Sequence, residues 1–278
     1  MGGDTETFYQ FQLPSSVVCR HEHFHEGWFE RWAKAIDPNW SYELKHHRKL
    51  WEWCAIIQAL QERKKLTEGS KGLGFAVGTE PLSSLFASQG ATIEATDLFV
   101  GEEADHWTGT NQHASGLDAL YKDYLLSKEL FQRRVSFHPA DMRDLSGFTP
   151  DSYDFIWSSC SFEHLGNLAL GINFVEESSK LLRKGGVAVH TTEFNCLSDE
   201  ITIDNAVDVI YRGQDLRRLK KTLEENGFDV APLDLRLGDD EEDRLFDYPP
   251  YGMHNRDHIK LYMQGFVATS VLLIITKL

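Results

Sequence analysis

The sequence predicts an α/β fold: a doubly wound, mostly parallel sheet with an N-terminal helical lid. Three observations lead there. From residue 71 onward, short apolar runs alternate with helical stretches, the pattern that puts helices on both faces of a parallel sheet. Right-handed crossovers gather the turns after the strands at one carboxyl edge, and Gly- and Asp-bearing turns follow these strands. The chain has 278 residues, 41% hydrophobic and 26% charged, enough for one sizeable core with little disorder.

The first 45 residues are rich in His and Trp and show no clear period. Leu50, Trp53, Cys54, Ile57 and Leu60 recur at three- and four-residue steps and predict a helix over 46–66. Thr67-Glu68-Gly69-Ser70 breaks it. A strand over 72–77 runs through a glycine turn into a helix over 81–88, where Pro81 suits a first helical turn. A second strand, 92–96, ends at Asp97. A helix over 117–132 and a strand over 135–137 lead to Ala140-Asp141-Met142, and a fourth strand covers 153–157. A helix over 172–182 and the turn Lys184-Gly185-Gly186 precede a strand over 187–192. The next helix, 215–225, carries Leu216, Leu219 and Leu223 on one face and stops at Asn226-Gly227. Two strands, near 230–235 and 269–276, finish the chain. Residues 1–66 are thus expected as a lid and 67–278 as the main domain.

The turn after the first strand reads Gly72-Leu73-Gly74-Phe75-Ala76-Val77-Gly78-Thr79-Glu80-Pro81. Small residues let backbone approach a ligand, but neither GxGxxG nor GxxxxGK[ST] fits. Glu80 near the incoming helix would repel a phosphate, so a cationic or phosphate-free ligand suits the turn better. Asp97, at the next strand end, is placed to accept ribose hydroxyls. Asp141 can accept from an adenine amino group, with Met142 packed on the base.

With these motifs the chain resembles the class I S-adenosylmethionine-dependent methyltransferases, of the type 11-like kind, over residues 71–195. The resemblance rests on the 74–80 turn, Asp97 and Asp141-Met142. It rests also on Tyr153-Asp154-Phe155-Ile156-Trp157-Ser158-Ser159-Cys160-Ser161-Phe162-Glu163-His164-Leu165 and on Leu181-Leu182-Arg183-Lys184-Gly185-Gly186. It implies a Rossmann-like methyltransferase fold of seven strands, the last antiparallel, with S-adenosyl-L-methionine as cofactor across the turns after strands one to four. Gly74, Phe75, Ala76, Gly78, Glu80, Asp97, Leu98, Asp141, Met142, Ser159 and Cys160 are the implied cofactor contacts. The chain departs from the family pattern where Gly74 and Ala76 replace an acidic residue and a glycine, which leaves Glu80 to meet the methionine end.

His164, after the fourth strand, is the candidate base for an acceptor, with Glu163 a weaker candidate or a cap. His190, Glu193 and Asn195 are candidate substrate residues, although His190 inside a strand also reads as a core histidine. Tyr248, Tyr251 and His254 are candidates for an aromatic rim, and Trp107, Thr110, Asn111, Gln112 and His113 for a flap over the cofactor. The expected reaction is O-methylation of a small polar acceptor, including a sugar or carbohydrate precursor.

A formal net charge of −15 opposes a general nucleic-acid binder, and no apolar run approaches the roughly 20 residues that span a bilayer. Cys19, Cys54, Cys160 and Cys196 form no CxxC pair, and the N-terminal residues lack a secretion pattern, so a cytoplasmic protein with a small-molecule substrate is expected. A nicotinamide-dependent oxidoreductase would share the fold. A zinc hydrolase would use His21 and His25 of His21-Glu22-His23-Phe24-His25, which matches HExxH but lacks an apolar helical period and an obvious third ligand. No metal is therefore assigned. The run Asp239-Asp240-Glu241-Glu242-Asp243 reads as a solvated loop before a divalent-ion site.

Overall fold

The computed structural model of the protein describes residues 12–98, 114 and 116–278. The expected flap at Trp107 and residues 110–113 lies outside them. Strands β2 (Lys71–Phe75), β3 (Thr92–Asp97), β4 (Val135–Pro139), β5 (Tyr153–Ser159), β6 (Leu182–Asn195), β7 (Phe228–Val230) and β10 (Phe266–Lys277) form one sheet in the order β4-β3-β2-β5-β6-β10-β7. The first five are mutually parallel, and β10 runs antiparallel to both β6 and β7. A short β9 (Leu261–Met263) adds to β10, and β1 (Ser16–Val17) pairs with β8 (Leu233–Asp234) as a separate ribbon. The sheet is mostly parallel as expected, with β9 an eighth strand beyond the seven expected.

Alternation along the strands builds two cores. Phe155, Trp157, Val187, Val189, Leu272 and Ile274 face one side, while Ile156, Ala188, Leu273 and Ile275 face the other, as a period of two requires. The first side is covered by α1 (Gly27–Ile36), α2 (Arg48–Glu62) and α3 (Leu82–Ser88), the second by α5 (Leu168–Lys180) and α6 (Gly213–Glu225). Trp28, Phe29 and Trp32 are buried in the first core, and it is α2 that reaches the carboxyl edge of the sheet.

Among the element boundaries that differ from expectation, three have a clear local cause. Helix α2 begins at Arg48 because the His47 ring caps it, accepting from Lys49 N at 3.0 Å. The expected helix 117–132 is a 3-10 turn, Leu117–Leu120, and a separate α4 (Lys128–Arg134). Between them Ser84 on α3 donates to Leu120 O (2.7 Å) and accepts from Lys122 N (3.0 Å), taking backbone groups a continuous helix would use, and Ser127 caps α4. Strand β6 extends five residues earlier than its apolar stretch, where Leu182 pairs with Tyr153 of β5, and three later, where its ladder with β10 continues to Asn195.

The glycines of β2 serve packing. Gly72 pairs in register with Phe155 and Gly74 with Trp157. A Cβ on Gly72 would lie 2.2 Å from the Phe155 ring, and one on Gly74 2.3 Å from the Trp157 ring. Each glycine makes room for an aromatic ring of its neighbour strand.

Candidate active site

The carboxyl ends of β2, β3, β4 and β5 open onto a crevice of about 480 Å³, closed from above by Lys49 and Trp53 of α2. That volume suits a drug-sized ligand, for which pockets run roughly 300–1,000 Å³. Ala76, Gly78, Glu80, Asp97, Leu98, Asp141, Met142, Ser159, Cys160 and His164 all line it, so the structure brings together most of the candidate cofactor residues and the candidate base. Gly74 and Phe75 lie outside: Gly74 accommodates Trp157, and Phe75 is buried against Phe148 and Phe174.

The turn after β2 bends through two left-handed residues, Ala76 (φ 48°) and Gly78 (φ 52°). For Ala76 this costs about 1–2 kcal/mol. The bend aims Gly78 N at Asp97 Oδ2 (3.1 Å). Asp97 also accepts from Leu98 N (2.8 Å) and Ala114 N (3.1 Å), so its carboxylate is fixed at the edge of the crevice. Asp141 is gripped by Arg143, whose Nε lies 3.0 Å from both carboxylate oxygens and whose backbone N–H donates to Oδ1 at 2.8 Å. These bonds hold the Asp141 carboxyl below the usual range.

Glu80 is 8% exposed and takes two indole donors, Trp157 Nε1 to Oε1 at 2.9 Å and Trp53 Nε1 to Oε2 at 3.2 Å. Burial nevertheless pushes its carboxyl up to about 8, against 4.5 for an ordinary glutamic acid. A buried acid that resists ionisation gains from a cation placed beside it. The crevice therefore favours positive charge at this point.

Beneath the crevice lies a polar cluster that periodicity could not have revealed. Glu52 of α2 is fully buried and accepts from Lys49 Nζ (2.8 Å), Ser159 Oγ (3.1 Å), Cys160 Sγ (3.1 Å) and Ser270 Oγ (2.5 Å). Although burial opposes it, the Lys49 and Arg48 charges hold the Glu52 carboxyl down to about 2. Arg48 in turn pairs with buried Glu193 and donates to Ser270 Oγ at 3.2 Å. Cys160 takes a left-handed conformation (φ 44°), fixed by Thr191. The only sequence signal was that Glu52 stands among the apolar positions of a helix.

His164 sits on the 3-10 turn Phe162–His164 directly after β5. Its Nδ1 donates to Asp208 Oδ1 at 2.7 Å, which leaves Nε2 as the basic nitrogen of the neutral ring. Burial would lower its pKa, yet the Asp208 bond and the Glu163 charge raise it above the ordinary histidine value. Asp208, 44 residues further on, was not singled out in the sequence. Glu163 is fully buried behind His164, accepts from Thr192 Oγ1 (3.0 Å), and has its carboxyl pushed up by burial.

The expected substrate residues are dispersed. His190 is wholly buried between Phe162 and Phe174, bonded through Nδ1 to Ser158 Oγ (2.8 Å), and burial lowers its pKa to about 3. It is the core histidine of the two readings. Glu193 is tied to Arg48. Asn195 organises the following loop, donating to Ile201 O (3.0 Å) and accepting from Leu197 N (2.9 Å). Tyr248 stacks on His254 at 3.8 Å, and Tyr251 donates to Tyr262 O at 2.8 Å. Tyr251 borders a second cavity of about 370 Å³ beside His46, His47 and His258; Tyr248 and His254 line neither cavity.

Residues 73–190 match the family model described as a methyltransferase domain. This match and the strand order are consistent with the class I S-adenosylmethionine-dependent methyltransferases, whose fold places its crevice at the same strand ends. The sequence finds no match among curated proteins. Among solved structures, an S-adenosylmethionine-dependent methyltransferase from Mesorhizobium loti is 13% identical. The match covers 79% of this chain and 96% of that one, with a TM-score of 0.50. The magnesium protoporphyrin IX methyltransferase of Synechocystis PCC 6803, solved with bound S-adenosylmethionine, is likewise 13% identical. There 92% of this chain and 94% of that one are covered, with a TM-score of 0.48. No helix among the described residues is long and apolar enough to cross a membrane.

Proposed function

We propose that the protein transfers a methyl group from S-adenosylmethionine to an oxygen of a small polar acceptor, with His164 as general base. The observation that carries this reading is the His164–Asp208 pair at the crevice end of β5. An oxygen acceptor must lose its proton as it becomes methylated, and a positioned imidazole is suited to take it. Bound in the crevice, the cofactor supplies an electrophilic methyl on a sulfonium.

The lining residues fit such a cofactor. Asp97, fixed by three backbone donors, offers its carboxylate to ribose hydroxyls. Asp141 and Met142 flank the place for the adenine, and Glu80 receives the positive charge of the methionine end. Trp53 and Lys49 cover the crevice and keep bulk water from the donor. Asp208 holds His164 in the tautomer whose Nε2 accepts the proton. Acceptor choice falls to the surroundings of His164, where Val207, Ser161 and Gly166 line the wall. A polar acceptor such as a sugar hydroxyl fits these groups. We assign residues 1–66 to a lid and 67–278 to the catalytic domain.

The test is transfer of a labelled methyl group into polar small-molecule fractions, followed by analysis of the labelled bond. An O-methyl product with wild type, and a turnover at least 100-fold lower with His164→Ala at unchanged S-adenosylhomocysteine affinity, are the expected results. Label on nitrogen or carbon, or an unaffected His164→Ala, would overturn the reading.

A further inference from the structure

Two motifs of uncertain purpose, the His21-to-His25 turn and the acidic run at 239–243, lie more than 200 residues apart in sequence. The fold puts them together, away from the methyl-transfer crevice. His21 and His25 share one 3-10 turn, and their Nε2 atoms face each other at 3.4 Å. His46, immediately before the residue that caps α2, brings its ring to 5.4 Å from that of His21 and 5.6 Å from that of His25, while the His21 and His25 rings are 4.8 Å apart. Asp257 reaches in from the other side, its Oδ2 3.3 Å from His46 Nδ1. One ligand atom each from His21, His46 and Asp257 can be chosen so that all lie within 4.8 Å of one another.

From these contacts we infer that His21, His25, His46 and Asp257 form a zinc site that clamps the N-terminal segment to the 239–257 loop. The ligand atoms of His21, His46 and Asp257 already lie close together, and His25, exposed and outside that group of three, completes the set by a side-chain adjustment. Zinc–ligand bonds of about 2.0–2.1 Å put the vertices of a tetrahedron about 3.3 Å apart, and imidazole rings so bound have centres about 5 Å apart. Two edges of that figure, His21–His25 and His46–Asp257, are already present at 3.4 and 3.3 Å. His46 is 7% exposed, and beyond the Nδ1 contact with Asp257 its buried Nε2 has no hydrogen-bond partner. A buried imidazole in that condition is costly unless a ligand takes its lone pair.

A second feature points the same way. His21 Nδ1 bonds to Asp240 Oδ2 at 2.9 Å, which turns Nε2 toward His25. Metal-binding histidines are held by this kind of carboxylate contact on the far nitrogen. The acidic run, read from sequence as a solvated loop, thus supplies an orienting partner, and Asp243 within it is buried and accepts from His21 N at 3.0 Å. Three imidazoles and one carboxylate suit zinc over calcium or magnesium, which prefer all-oxygen sites. Four protein ligands make the site structural. Its place in the chain gives it leverage, because α2 starts two residues after His46 and carries Arg48, Lys49, Glu52 and Trp53 to the crevice.

The experiment is metal titration of the full-length protein after treatment with a chelator. One equivalent of zinc per chain is expected, as is a cobalt-substituted form with the intense visible absorption of tetrahedral coordination. His25 and Asp240 are exposed, so their replacement leaves the fold intact. His25→Ala should abolish the tetrahedral cobalt spectrum, and Asp240→Asn should lower zinc affinity about 10–100-fold. Zinc should raise the melting temperature of wild type and leave that of His25→Ala unmoved. Stoichiometry well below one, an octahedral cobalt spectrum, or unchanged affinity in both variants would overturn the site. None of these readouts depends on methyl transfer.

Discussion

Glu80→Gln provides a quantitative test of the crevice because the buried carboxyl is costly to ionise. Its pKa is raised in the folded protein, from 4.5 to about 8. The sign follows from linkage: the unfolded chain ionises this group first, so its full stability is present below pH 4.5 and is lost as pH rises towards 8. Each pH unit in that window removes about 1.4 kcal/mol, which amounts to about 3 kcal/mol by pH 7. Glutamine carries no such cost. Its amide oxygen can accept from one indole, but its NH₂ faces the other, a loss of about 1 kcal/mol. The variant without cofactor should therefore be about 1 kcal/mol less stable than wild type at pH 4.5 and about 2 kcal/mol more stable at pH 7. Urea unfolding at the two pH values reads this directly. Equal stability changes at both pH values would refute the buried-acid reasoning. Calorimetry provides a companion result: S-adenosylmethionine binding at pH 7 should release a proton from Glu80 in wild type and none in Glu80→Gln.

Further outcomes follow from other parts of the structure. For His164, loss of the neutral ring on acidification should lower kcat/KM below a pKa above 6.5, and Asp208→Asn should shift that acidic limb to lower pH while reducing kcat about tenfold. A pH–rate profile of the two proteins checks both. Gly74→Ala should destabilise the protein by about 3 kcal/mol in urea unfolding, because the new Cβ meets the Trp157 ring at 2.3 Å. Ala76→Gly, by contrast, relieves a left-handed alanine (φ 48°) and should leave stability unchanged or raise it by about 1 kcal/mol. Glu52→Gln removes the buried counter-charge of Lys49 and should cost about 3–5 kcal/mol in the same assay.

The sheet was legible in the sequence because its strands are apolar on alternate sides and its turns carry Gly, Asp and Asn. The crevice was legible for a related reason: Asp97, Asp141 and His164 end successive strands, and parallel topology brings strand ends together. Gly74 misled because a glycine beside a ligand turn and a glycine beneath a tryptophan look alike in one dimension. The pairing with Trp157 depends on strand register, which local pattern does not reveal. Asp208 and Glu52 were missed because the groups they meet at the crevice, His164 for the one and Ser159, Cys160 and Ser270 for the other, lie more than 40 residues away. The His21–His25 motif was discounted for want of a third ligand, and His46, the one proposed above, comes beside it only once the chain has folded.

The central claim is that one crevice holds the donor with its pentose at Asp97, its purine beside Asp141 and Met142, and its sulfur directed at His164. A crystal structure of the protein with S-adenosylhomocysteine tests this directly. The account predicts ribose oxygens within hydrogen-bond distance of Asp97 and the amino group of the homocysteine end near Glu80. A ligand bound outside these turns, or reversed so that the purine lies against Glu80, would contradict it.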